Sequence, residues 1–326
     1  MGSHKGILVV SLDFEMHWGV RDHWTVEDYR PQLTGERVVI PRLLEQFRRY
    51  GIHATWATVG FLFFRSKTAL LEGVPSVKPV YVNPRLSPYS SLDQLGEDEE
   101  HDPYHLAPSL MAQIRTTPYQ EIGSHTFSHY FCLEPGQTME AFRADLEAMR
   151  HVGDQEGILL RSFVFPRNQF QPSYLKACAE FGFQVYRGNE LSWIYAPRNE
   201  ERQSLIQRAI RLLDAYIPLS GHHTYPLMLS SSLPYNVPSS RFLRPYVPPL
   251  RWFEGWRIQR ILGDMTYAAR RGEIYHLWWH PHNFGAHQEE NFGVLDTILR
   301  HYKKLEQTYG MESLHMAEVG ERMKGV

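Results

Sequence analysis

Gly6-Ile-Leu-Val-Val-Ser-Leu12 runs without a break into Asp13-Phe-Glu15-Met-His17-Trp18-Gly19. The apolar run is short and flanked by polar residues, so it reads as a strand buried on both faces. It ends abruptly in carboxylates, an imidazole and an indole. From Val38 to Tyr50 the spacing is helical, with Val39, Leu43, Leu44 and Phe47 on one face and Gly51 as the stop. His53-Ala-Thr-Trp-Ala-Thr-Val-Gly60 reads as a second strand. Strand, helix and strand in about fifty residues make a parallel βαβ unit.

The same alternation continues. Strands are expected at Glu121–Ser124, Ser162–Phe165, Gln184–Tyr186 and Ile274–Trp279. Helices are expected around Leu106–Ile114, at Met139–His151 and Pro172–Gly182, around Gln203–Tyr216, and at Arg257–Arg271 and Phe292–Tyr309. Two stretches interrupt the rhythm, about 65–120 and 192–255, and both are rich in turn residues. The expected fold class is α/β: residues 5–326 as one distorted (β/α) barrel with two long loop insertions on one face. In such barrels the chemistry sits on loops after the strands. Residues 1–4 read as an expression scar, and His4 is given no role.

Composition narrows the partners. The 326 residues carry a net charge of −2 and no basic run, which argues against nucleic acid. Two cysteines, Cys132 and Cys178, exclude a disulfide framework and make a cysteine-based zinc site implausible. Ile7 to Leu12 is too short for a signal-peptide core or a membrane span, so a soluble, cytoplasmic protein is expected. Aromatics make up 13% of the chain, and many lie in polar, Pro-rich stretches. Trp18 and Trp193 are candidates for a wall against the flat face of a sugar.

Polar residues at strand ends suggest metal-assisted hydrolysis. His125 and His129, in His125-Thr-Phe-Ser-His129, are four apart; one helical turn after Ser124 would put both on one face. Alternation along the first strand puts Asp13 and Glu15 on the same side. Two buried carboxylates there need a counter-charge: a divalent cation, or a network with Arg21 or Arg37. His280 ends the last strand and is placed to act as a general acid, with His282 as the rival and a candidate substrate contact. His276, inside the strand, reads as core. Arg167 and Asn168, in Phe165-Pro-Arg-Asn-Gln169, are candidate substrate contacts.

In order, these pieces resemble the polysaccharide deacetylase family, also called NodB-homology or carbohydrate esterase family 4. The resemblance spans about Leu8 to Gly285. Ser11-Leu-Asp-Phe-Glu15 stands where the family has Thr-Phe-Asp-Asp. His125-Thr-Phe-Ser-His129 is its intact second motif, and Leu277-Trp-Trp-His280 its last. The resemblance implies a seven-stranded (β/α) barrel and a zinc-type cation, with cobalt or nickel as alternatives. It implies Asp13 as catalytic base, His280 as catalytic acid, and Glu15, His125 and His129 as ligands. Val164-Phe-Pro-Arg-Asn168 departs from the family's Arg-Pro-Pro-Tyr-Gly, so Arg167 is expected to supply the missing charge, and its backbone N–H to sit where the family stabilises an oxyanion. This departure, together with the long insertions, resembles a divergent branch associated with bacterial surface-polysaccharide and O-antigen biosynthesis. The implied partner is an N-acetylated sugar or polysaccharide precursor. Hydrolysis of another amide, such as a formyl group or a small cyclic amide, and a catalytically silent sugar-binding protein are the alternatives.

Overall fold

The computed structural model describes residues 5–191, 213, 214, 216, 220–228, 230 and 232–324. Strand β1 (Ile7–Phe14) is buried along its whole length and lies at the centre of the sheet. It pairs in parallel with β2 (Ala54–Thr58) on one side and with β9 (Glu273–Trp279) on the other. From β2 the parallel order continues through β3 (Gln120–Ser124), β4 (Ser162–Phe163) and β5 (Val185–Tyr186).

The ring is closed by a segment expected to lie within the second insertion. Strands β7 (Tyr235–Asn236) and β8 (Arg241–Phe242) are parts of one extended run. On one side Tyr235, Val237 and Ser239 donate backbone N–H groups to Gln184, Tyr186 and Gly188; on the other Ser240 and Leu243 donate to His276 and Trp278. Among the described residues this gives seven staves, a distorted (β/α) barrel as expected. Two short strands lie at its lower edge. Strand β6 (Tyr225–Pro226) pairs antiparallel with β9, and β10 (Glu312–Ser313) pairs with β1.

Helix α1 (Val26–Tyr50) begins twelve residues before the expected start at Val38. Thr25 caps it by accepting from the Asp28 N–H, and Glu27 and Asp28 favour its positive end. Pro31 and Pro41 each remove one backbone bond. The face of Leu33, Val39, Ile40, Leu43, Leu44 and Phe47 is buried and outweighs that loss. The first insertion holds two helices, α2 (Lys67–Gly73) and α3 (Pro108–Thr116), where one was expected. Helices α4 (Met139–Glu156), α5 (Pro172–Glu180), α6 (Glu254–Arg271) and α7 (Gln288–Tyr309) match expected ones, each with shifted bounds. Beyond them a final helix, α8 (Met316–Met323), had not been expected. The helix expected at Gln203–Tyr216 lies outside the described residues, apart from Leu213, Asp214 and Tyr216.

The turn after β3 is not helical, which corrects the sequence expectation. Thr126 and His129 have φ of 65° and 57°. Asp145 on α4 holds this strained backbone: it accepts from the N–H groups of Phe127 (2.7 Å) and Ser128 (3.1 Å) and from the Ser128 hydroxyl. Burial raises its carboxyl to about 6 despite those bonds.

Asp145→Ala would orphan two buried N–H groups. It should cost about 2–4 kcal/mol in a denaturant titration, by the usual price of unmade buried hydrogen bonds. A loss below about 0.5 kcal/mol would mean the turn holds itself.

Glu36, on α1, is fully buried, and neither carboxylate oxygen has a hydrogen-bond partner. Burial, then the nearby Glu15, raise it well above the carboxylate range. An acid raised in the folded state weakens the fold as pH climbs past its unfolded value of 4.5. Glu36→Gln cannot ionise, so its melting temperature relative to wild type should rise steadily between about pH 5 and 8. A difference that does not change with pH would contradict a protonated Glu36.

Candidate active site

Asp13 and Glu15 both turn into the upper mouth of the barrel, as alternation along β1 requires. Gly19 makes this possible, because a side chain there would collide with the Glu15 carboxylate. Neither Arg21 nor Arg37 neutralises Asp13. Arg187, directly after β5, does. Its Nη1 donates to Oδ1 and its Nη2 to Oδ2, each at 2.7 Å. Arg187 is 1% exposed and lies 4.1 Å from the Trp278 ring centroid. Its Nη1 also donates to Ser11 Oγ (3.1 Å), which in turn lies 2.8 Å from His276 Nε2. His276 is buried, as expected of a core residue, and it ties Ser11 and Arg187 to β9.

Glu15 gathers the histidines. Its Oε2 lies 3.2 Å from His125 Nε2 and 3.0 Å from His129 Nε2, and its Oε1 lies 3.4 Å from His280 Nε2. His280 Nε2 is also 3.8 Å from Asp13 Oδ2. The structure thus brings together all five residues Asp13, Glu15, His125, His129 and His280.

Burial pushes the Asp13 carboxyl up, but Arg187, then His125 and His280, more than offset this and hold it below its ordinary range. Burial also opposes ionisation of Glu15, yet His280, His129 and His125 hold it well below the usual value. Burial drives His129 down to about 4 and His282 to about 3, so both rings are neutral near pH 7. Neutral imidazole is the form that ligates metals.

The donor set fits a divalent cation. Two buried ring nitrogens and one carboxylate oxygen converge, with all three atoms within 4.8 Å of one another. His125 Nδ1 lies 2.9 Å from the Val164 carbonyl, so it carries the proton and leaves Nε2 free to ligate. Arg21 lies 3.3 Å from His129 Nδ1 and also donates to the Trp18 and Leu86 carbonyls. A guanidinium only donates, so ligation through His129 Nε2 requires this contact to open.

The remaining expected site residues fare unevenly. Arg167 does not supply the missing charge. It pairs with Asp22, lies 3.6 Å from Glu134 and stacks over Phe131. Asn168 accepts from Arg187 Nη2 at 3.0 Å, so it orients that arginine. Trp18 is fully buried, with its indole N–H on the His105 carbonyl, and supports the site from behind instead of facing a ligand. His282 is buried beneath His280, with the rings stacked at 4.9 Å. Trp193 lies outside the described residues. Among the described residues seven non-glycine residues have positive φ, and five of them, Met16, Thr126, His129, Arg167 and Asn168, lie in the turns that follow β1, β3 and β4, so backbone strain is concentrated around the candidate site.

No family model matches the chain, and no curated protein does. Solved structures do. One, provisionally named a polysaccharide deacetylase from Mycobacterium smegmatis, has 14% identity and a TM-score of 0.60, covering 99% of this chain and 92% of its own. Another with the same provisional name, from Pseudomonas aeruginosa PAO1, has 10% identity and a TM-score of 0.56, with 98% and 91% covered. The Puue allantoinase has 11% identity and a TM-score of 0.54, with 98% and 90% covered. At these identities the likeness shows the fold: the chain shares the (β/α) barrel of polysaccharide deacetylase-like structures.

Proposed function

We propose that this protein is a metal-dependent deacetylase that hydrolyses the N-acetyl group of an amino sugar in a bacterial polysaccharide or its precursor. The observation that carries the reading is Asp13 and His280 facing each other at 3.8 Å beside the Glu15–His125–His129 triad. Structural likeness to deacetylase-like proteins supports it. When bound, a zinc-type cation would polarise the amide carbonyl and acidify water. Asp13 takes the water's proton: Arg187 keeps it ionised and fixes its plane, and Oδ2 faces His280. Protonated His280 then donates from Nε2 to the departing amine, with Nδ1 held 3.3 Å from Asn283 Oδ1. Partial exposure of His280, at 23% of its side chain, leaves it reachable by substrate.

A second reading is hydrolysis of a small cyclic amide, which the likeness to an allantoinase favours. The two separate by product. The deacetylase reading expects acetate from a panel of N-acetyl amino sugars, and no turnover of allantoin, in protein loaded with zinc, cobalt or nickel. Sugar binding without acetate release would leave a silent binding protein.

Asp13→Asn should lower kcat by about 10²–10⁴-fold while metal content by elemental analysis is unchanged. Retained turnover would exclude Asp13 as the base. Arg187→Lys replaces a two-bond clamp with a point charge. It should cost about 10–100-fold in kcat/KM, the value of one charged hydrogen bond. It should also move the acid limb of the pH profile upward, because the Asp13 carboxyl is then less depressed. An unmoved limb would show that Arg187 only supports packing.

A further inference from the structure

The Glu15 carboxylate presents its two oxygens to different imidazoles. Oε2 faces His125 and His129, at 3.2 and 3.0 Å. Oε1 faces the other way, to His280 at 3.4 Å. Glu15, His280 and His282 make a second group whose ligand atoms all lie within 4.8 Å of one another. His280-Pro-His282 stacks its two rings at 4.9 Å with planes 20° apart. His282 is 2% exposed, and its Nδ1 is buried without a hydrogen-bond partner. A buried ring nitrogen left unpaired is costly and calls for an explanation. The Tyr29 ring packs edge-on at 5.6 Å and keeps His282 in place without satisfying it.

A carboxylate with one oxygen on His125 and His129 and the other on His280, and with His282 in the same 4.8 Å group, suits the bridging arrangement of two-cation centres, whose ions sit about 3.5–4 Å apart. We propose that Glu15 Oε1, His280 and His282 form a second cation subsite beside the Glu15–His125–His129 triad. Two imidazoles and one carboxylate suit zinc, cobalt or nickel better than magnesium or calcium. The inference rests on the reading that the first triad holds a cation. It adds a regulatory consequence. A cation on His280 Nε2 occupies the lone pair that the general acid needs for its proton, so filling the second subsite stops proton delivery. Zinc activates at one equivalent and inhibits at two.

The test is zinc stoichiometry by equilibrium dialysis and elemental analysis, with cobalt absorption spectra recorded in parallel. The wild type should bind two equivalents, the second more weakly. His282→Ala should bind one, with a circular dichroism spectrum like wild type. Should His282→Ala fail to fold, His280→Ala reads the same loss from a partly exposed position. Cobalt titration of the wild type should give a second spectral change beyond one equivalent. One equivalent in the wild type, unchanged in the variants and with a single cobalt transition, would overturn the second subsite and leave the functional reading standing. No bound metal at all would overturn both.

Discussion

Negative charge buried at the end of β1 is the constraint that the rest of the site answers. Asp13 and Glu15 are each 3% exposed, in surroundings where an unmatched carboxylate is very costly. Asp13 is met by the fork of Arg187, itself fully enclosed and braced by Ser11 and Asn168. Removing one partner of such a pair typically costs about 3–5 kcal/mol, because the other is left charged and dry. Glu15 is met by a ring of imidazoles, which exchange a fixed positive charge for adjustable donors. Both carboxylates are thereby kept ionised, as the proposed roles of Asp13 as base and Glu15 as cation ligand require.

That electrostatic arrangement needs rigid positions, and the barrel supplies them. Asp13 and His280 come from neighbouring central strands whose register is fixed by continuous parallel pairing. The two motif histidines come from a strained turn that Asp145 clamps from behind, and Arg187 comes from the end of a two-residue strand. The seventh stave holds this together. By bonding to β5 on one side and β9 on the other, the 235–243 run places Arg187 opposite Asp13 across the barrel.

Much of this was legible in the sequence, for a physical reason. Asp13, Glu15, His125, His129 and His280 each follow a short apolar run, so polarity switches at a place where a core strand must end. Arg187 offered no such signal. It follows a strand of two residues, and its partner lies 174 positions away. Arg167 carried the same charge nearer the expected motif and drew the assignment instead. Asp145 and Glu36 sit in helices among charged neighbours, where a carboxylate looks like part of a solvated face. The closing stave lies in a Pro- and Ser-rich stretch without strand periodicity, and each of its two pairings is short: its first part bonds to β5 and its second to β9. Trp18 looked like a ligand wall because its neighbours are polar, but those neighbours are themselves buried.

The central claim is that Glu15, His125 and His129 hold a catalytic cation at the barrel mouth. Anomalous diffraction at the zinc edge, from crystals of zinc-loaded protein, tests it most directly. The account expects a peak about 2.0–2.2 Å from a Glu15 oxygen and from the Nε2 atoms of His125 and His129, with Arg21 withdrawn from His129 Nδ1. A fully loaded crystal with no peak there, and these three side chains still paired directly with one another, would contradict it.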